Sequence, residues 1–339
     1  MYSSTEMSRN VILYLEKLTV LGGATVAKVK MQAVGERLPE RTRKLKKGQV
    51  TLLLMIIPSI IMIAAFYYLP MTGWVYSFFD YRIGYKLSDC EFVGLANIKY
   101  AFKDPYVLKV LGNTLTMGVL SLLNYPIACA IAILLSEVRS NRFKKLVQTL
   151  ITLPNFIGWV VIYAIAFSLF SMDGLVTTAI SKLTGTDATV TLLSNPDTAK
   201  AFMVILGIWK TVGYNAIIFF AAIAGIDPEL YDAAKVDGAG RWAQIKSITI
   251  PCLLPTLMVL MIINVGSILS NGFEQYYCFI NPMIREEIEV LDYYVYRLGM
   301  MQKDIPLSTA VSMCKTFVSV VLVFGVNKLA KKITGQSVI

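Results

Sequence analysis

Two lysines occupy positions where lysine is rare. Lys210 and Lys315 each fall inside a long apolar run, and an ionisable group at that depth has to face the interior of a bundle or a wet cavity. There each could meet a substrate; the alternatives are a carbonyl or carboxylate partner, or a stem that carries the ammonium to an interface. Asn124, Tyr125, Asn155, Trp159, Tyr214, Asn215, Asn264, Asn271, Glu274 and Gln275 add amides, one carboxylate and aromatic faces in or beside the apolar runs. Amides meet hydroxyls and rings stack on apolar faces, so such a set suits the holding of a polar solute. Singly, each is more often glue between helices. The signal lies in their number.

Bond-breaking chemistry has few groups to work with. The chain has no histidine, which removes the commonest general base, the commonest metal ligand and any Ser-His-Asp or Cys-His triad. Its cysteines, Cys90, Cys129, Cys252, Cys278 and Cys314, stand singly with no C-x-x-C pair, so neither a zinc site nor a redox motif is written. Cys90 and Cys278 fall in segments assigned below to one face of a membrane, where a bridge between them is conceivable. No catalytic residue and no metal site are expected.

Composition sets the elements that must position these groups. The 339 residues are 56% hydrophobic and 16% charged, with a mean hydropathy of +0.61, where a soluble domain carries roughly 25% charge. This is a membrane protein. Crossing the hydrocarbon takes about 20 mostly apolar residues, and runs at 50–69, 113–135, 149–170, 199–226, 251–272 and 306–326 supply candidate spans. The stretch 11–29 is interrupted by Glu16, Lys17 and Gly22-Gly23, so it reads as part of a basic extension over 1–49 rather than a seventh span. The expected fold is an all-α integral membrane protein with six transmembrane helices, a loop over 227–250 and a tail over 327–339. Pro58, Pro126, Pro154 and Pro255 lie inside these spans and predict kinks, which suit either a bundle that rearranges or static packing.

Charge then orients the chain. Lysine and arginine number 32 against 22 acidic residues, for a net charge of +10. Twenty of the basic residues fall in the extension, the tail and the loops 136–148 and 227–250; nine fall in the opposite loops, beside 13 acidic residues. The positive-inside bias makes both termini cytoplasmic. Topology explains the basic excess, so the expected surroundings are membrane lipid and not nucleic acid.

The loop after the fourth span carries the sharpest pattern. It runs Asp227-Pro228-Glu229-Leu230-Tyr231-Asp232-Ala233-Ala234-Lys235-Val236-Asp237-Gly238. Asp227 can cap a helix, Pro228 fits its first position, Glu229 suits its dipole, and Gly238 with Gly240 ends it. Leu230, Ala233, Ala234 and Asp237 share one face, with two small side chains that let another surface come close. Its acidic character disfavours a helix resting on an anionic leaflet.

Asp232-Ala233-Ala234, then Gly238, then Ile248 and Ile250-Pro251 resemble the EAA motif of bacterial ABC importer permeases, with Asp232 in place of Glu and Ile250 in place of Leu. Arg241-Trp242, Trp209 with Gly213, Gly272-Phe273-Glu274-Gln275, Asn281-Pro282 and Tyr294-Val295-Tyr296-Arg297 extend the resemblance. It narrows to oligosaccharide permeases of the maltose-transporter superfamily, and within them to the polysaccharide or aldouronate type common in Gram-positive bacteria.

The resemblance implies a type I importer permease fold in the cytoplasmic membrane and alternating access. It makes Glu229, Leu230, Asp232, Ala233, Ala234, Asp237 and Gly238 the surface that couples to an ATPase. It also implies the partners: a second, different permease, a homodimeric ABC ATPase that holds ATP and Mg, and an extracytoplasmic sugar-binding lipoprotein. This chain has no G-x-x-x-x-G-K-[ST] loop to cradle phosphates, so it is expected to hold no cofactor and not to be an enzyme. The alternative is an ion-coupled secondary transporter of a polar solute that uses Lys210, Lys315 or Glu274; the lack of a visible internal repeat weighs mildly against it. Were Lys210 and Lys315 both to line the cavity, an acidic oligosaccharide would be favoured.

Overall fold

The computed structural model describes residues 47–184, 192–270 and 272–334. Residues 1–46 of the basic extension, and Asn271, lie outside the described residues. The chain divides into two units, 1–67 and 68–339. The described part of the first is α1 (Lys47–Ile63), which contains Pro58, and most of a wide π turn at Ala64–Tyr68.

The second unit is nearly all helix, apart from an isolated bridge between Phe79 and Phe92. Its principal helices are α2 (Ala96–Lys103), α3 (Pro105–Ser121), α4 (Asn124–Ser136), α5 (Asn141–Thr152), α6 (Trp159–Phe170), α7 (Leu175–Thr184), α8 (Pro196–Ala224), α9 (Pro228–Val236), α10 (Ile250–Val265), α11 (Phe273–Phe279), α12 (Leu291–Tyr296) and α13 (Ile305–Thr334). One local device starts three of them. Asp104, Asn195 and Asp227 accept a hydrogen bond from the backbone N–H two residues on, at 2.8, 3.0 and 2.9 Å, and each is followed by proline at the first helical position. A carboxylate or amide oxygen there satisfies a donor that the first turn leaves free, and proline has no donor to leave.

Six described stretches are long and apolar enough to cross a membrane: Leu54–Phe78, Pro105–Ser136, Trp159–Leu183, Pro196–Ala224, Arg241–Val265 and Ile305–Lys328. They differ from the expected spans where proline or glycine intervenes. The run 149–170 is not one helix: α5 stops at Thr152, a 3-10 turn covers Leu153–Phe156, and α6 begins at Trp159. Pro154 therefore sits in a turn rather than inside a span, because it has no N–H to continue the ladder and disfavours helix in the residue before it. Pro126 likewise is not mid-helix. It is the third residue of α4, after a break at Leu122 and Leu123. The fifth span stops at Val265 instead of reaching 272, giving way to turns over 266–269.

The core forms where small residues let helices approach. Ala128 and Ala132 of α4 and Ala216 of α8 are completely buried, with Val212, Phe219 and Leu253 packed around them. Small side chains spaced by four bring backbones close enough for dispersion to hold two helices without a hydrophobic driving force. A second cluster, built on Met117, Met203, Tyr276, Phe279, Ile288 and Tyr293, joins α3 and α8 to a cap made of residues 273–304.

Candidate functional site

A cavity of about 430 Å³ opens where these elements break. Asn124 and Tyr125 reach it from the start of α4, Asn155 and Trp159 from the turn before α6, Tyr214 and Asn215 from the middle of α8, Asn264 from the end of α10, and Gln275 from α11. Sequence spacing put these residues in four spans and, for Gln275, just beyond the fifth, and the fold brings them to one space. The breaks explain how. Pro126 cannot donate to the Leu122 carbonyl, which takes the Tyr125 N–H instead at 3.2 Å, and this tightened turn swings Asn124 and Tyr125 toward the cavity.

Lys210 does not line this space. Its ammonium turns to the broken third span and donates to the carbonyls of Pro154 at 3.3 Å, Asn155 at 3.0 Å and Ile157, while lying 5.4 Å from the centre of the Trp159 ring. These carbonyls follow the C-terminal end of α5, where a cation is favoured by the helix dipole. Lys210 is thus a pin that holds Asn155 and Trp159 at the cavity wall. Gly213, one turn further along α8, lets the two backbones meet: a Cβ there would fall on the Ile151 carbonyl.

Lys315 is also engaged elsewhere, donating to Asp292 at the start of α12. Glu274 is exposed and off the cavity wall, within electrostatic reach of Lys210. Asn271 lies outside the described residues. Sequence reasoning passed over Ser121, Thr211, Ser267, Ser270 and Tyr276, which line the cavity as well. Thr211 follows Lys210 and faces Asn124 across two helices, a pairing that no local pattern encodes.

The cap holds a buried ion pair that was also not anticipated. Glu289 is fully buried and accepts from the Arg297 Nε at 2.7 Å and from the Tyr106 hydroxyl, while the guanidinium lies 5.6 Å and 5.2 Å from the Tyr106 and Tyr294 ring centres. Asn113 donates to the backbone carbonyls of Glu286 and Glu289 at 2.9 and 3.3 Å. Such an acid needs partners for its lone pairs, and here α3 supplies Tyr106 and the π turn that follows α12 supplies Arg297. One signal was present: an acid within Ile288-Glu289-Val290-Leu291. Nearby, Lys200 at 2.9 Å, and then Lys109 at 3.3 Å, hold the Glu287 carboxyl below the ordinary carboxylate range against the opposing effect of burial. That tie is complete above the ordinary carboxylate pKa and is lost as pH falls through the lowered value. All five cysteines are free, Cys90 and Cys278 included.

At the far end of α8, α9 stands clear of the bundle. Each of its side chains is exposed or half-exposed, including Glu229, Leu230, Asp232, Ala233 and Ala234, and so are Asp237 and Gly238 beyond it. Asp232 pairs with Lys235 at 2.8 Å. Gly238 ends the helix with φ of +78°, a conformation that a side chain disfavours. The Tyr231 hydroxyl meets the Thr249 hydroxyl at 2.9 Å, and Gln244 donates to the Ala239 carbonyl at 2.8 Å. These bonds tie the short helix to the π turn Ile245–Thr249 and through it to α10.

Residues 124–335 match the family described as binding-protein-dependent transport system inner membrane component. Protein LplB of Bacillus subtilis (strain 168) is 38% identical over 283 residues, which cover 83% of this chain and 88% of LplB. The polygalacturonan/rhamnogalacturonan transport system permease protein YteP of the same organism is 39% identical over 285 residues, covering 84% of this chain and 88% of YteP. Among solved structures, a chain of a bacterial alginate ABC transporter, in complex with an alginate pentasaccharide-bound periplasmic protein, superposes with a TM-score of 0.78 at 33% identity. The match covers 88% of this chain and all of that one.

Proposed function

This chain belongs to the family of binding-protein-dependent transport system inner membrane components, with the type I ABC permease fold, and on that premise we propose that it passes an oligosaccharide across the cytoplasmic membrane by alternating access. An extracytoplasmic sugar-binding lipoprotein delivers the sugar, and a second, different permease completes the pore. A homodimeric ABC ATPase that holds ATP and Mg drives the cycle. The relatives' names and the alginate transporter support the carbohydrate reading, and the Bacillus relatives favour a Gram-positive source. Tyr214, which lines the cavity with half its surface exposed, is consistent with a wall that another chain completes.

The observation that carries the ATPase coupling is α9: a capped, exposed helix with small residues on one face, tied by Tyr231 to the helix that leads back into the bundle. Pressure on it has a short route to α10. The ion-coupled alternative loses two of its three candidate coupling groups, since Lys210 is held by carbonyls and Lys315 by Asp292, while Glu274 is exposed off the cavity wall.

Ala233→Trp tests this reading in a transporter reconstituted from both permeases, the ATPase and the binding protein. Because Ala233 is exposed, the bulky side chain leaves this chain's own packing alone and opens only the docked interface, where overpacking costs about 1–3 kcal/mol. Assembly into the membrane should be normal and sugar-stimulated ATP hydrolysis lost. Unchanged transport by Ala233→Trp would refute the coupling assignment. Gly238→Trp is the poorer probe, because its positive φ adds backbone strain.

A further inference from the structure

The outward face of α5 changes character along its length. Arg142, Lys145, Leu146, Thr149, Leu150 and Leu153 recur at helical spacing and are all exposed, while Val147 and Ile151 turn half-buried to the bundle. A basic end and an apolar end therefore share one surface. Among the described residues, Arg139, Arg142, Lys144 and Lys145 form no ion pair, and the acid that precedes them, Glu137, meets Arg241 instead at 4.0 Å.

Contacts at its ends give this helix its depth. Before its start, Glu137 lies beside Arg241, where a stretch long and apolar enough to span begins; at its end, the Ile151 carbonyl lies against Gly213 in the middle of α8, another such stretch. The cations thus stand at the edge of the membrane, and Leu146, Leu150 and Leu153 at hydrocarbon depth.

This arrangement selects its occupant. Unpaired cations call for an anion, and a second permease is a poor source, because its own spans follow the positive-inside bias and bring lysine and arginine to the same level. A soluble partner meets the cations but cannot cover the leucines beneath them. An anionic phospholipid does both, with phosphate at the edge and acyl chain below.

We propose that Arg142 and Lys145 hold the phosphate of an anionic phospholipid whose acyl chain lies along Leu146, Leu150 and Leu153. The site reaches the candidate pathway, because α5 runs into the turn Leu153–Phe156, and the Pro154 and Asn155 carbonyls of that turn hold Lys210. A lipid that steadies α5 steadies this turn.

The test is binding without turnover. The complete transporter in detergent is titrated with phosphatidylglycerol, with phosphatidylcholine and with inorganic phosphate, and native mass spectrometry counts what each complex retains. Phosphatidylglycerol should be retained in preference to phosphatidylcholine, and inorganic phosphate should not displace it, having no chain. Arg142→Gln combined with Lys145→Gln should weaken retention by about thirtyfold in apparent affinity. Arg142→Lys combined with Lys145→Arg keeps both charges and should bind as the unaltered chain does, which separates lost charge from a general effect of substitution. In nanodiscs, phosphatidylglycerol should slow amide exchange in peptides spanning the turn of the unaltered chain and leave the glutamine variant unchanged. Equal retention of phosphatidylcholine, undiminished retention by the glutamine variant, or displacement by inorganic phosphate would each overturn the lipid site. Loss of the second permease from the glutamine variant would make the face a subunit contact instead, and an unresponsive turn would overturn the link to the pathway. No sugar and no ATP are used, so these outcomes are independent of the Ala233→Trp experiment.

Discussion

Lys210 shows how the same residue type at the same depth can serve opposite purposes. A free ammonium on the cavity wall would recruit carboxylates, but one spent on the carbonyls of Pro154, Asn155 and Ile157 builds the wall itself. Lys210→Met keeps the apolar stem beside Trp159 and removes the donors, so the turn before α6 should lose its anchor. Uptake of neutral and uronate-bearing oligosaccharides should then fall by the same factor, at least about tenfold for a set of charge-assisted bonds. Lys315→Met should be equally indifferent to substrate charge, because it strands Asp292 and not a sugar. A selective loss of the uronate with either variant would return that lysine to the substrate path. The residue types announced a polar pathway, yet the division of labour among them was illegible, since it depends on which carbonyls the broken helices leave free.

Among the elements, the discontinuity between α5 and α6 organises the site. Its cause is local: Pro154 cannot extend α5, and the chain resumes helix only at Trp159. Its position is fixed across the interface with α8, where Gly213 allows contact with the Ile151 backbone. Gly213→Val places side-chain atoms where that carbonyl lies and should lower thermal stability in detergent by an amount equivalent to about 1–3 kcal/mol. Gly207→Ala is the control, because its Cβ would sit 3.6 Å from the Gln275 Oε1, an ordinary contact. Comparable stability of the two variants would show that the close approach is dispensable. The helix start at Asp227 and the exposed α9 follow from a short-range pattern and were legible, whereas the same acid- or amide-then-proline signature at Asp104 and Asn195 went unread. The breaks at Leu122 and Leu153 were under-read, because an apolar run looks continuous to any reading of hydropathy whether or not proline divides it.

For the whole molecule, the lysine and arginine asymmetry is the ground on which we propose that α9 and the cap lie on opposite sides of the membrane, with α9 inside. The free thiol of Cys90, half-exposed near α2, makes this measurable. In a background with the other cysteines replaced, an impermeant maleimide should label Cys90 in intact protoplasts. Ala233→Cys, with Cys90 also replaced, should react only after the membrane is opened. Labelling of position 233 from outside would invert the topology and remove α9 from reach of any cytoplasmic ATPase.

Hydropathy was enough to establish membrane embedding, and the charge bias and the Asp227–Gly238 pattern were enough to propose an orientation and to mark a capped, exposed helix, because each depends on residues near one another in the chain or on sums over it. The tertiary structure decided the rest. Helix rotation and the placement of prolines determine that Asn124 finds Thr211 87 positions away and that Tyr106 reaches Glu289 across 183. They also determine that Lys210 faces a turn instead of the cavity. Such pairings are set by packing between helices, where a shift of one residue turns a side chain by about 100° around the axis, and no count of polar residues along a span contains that angle.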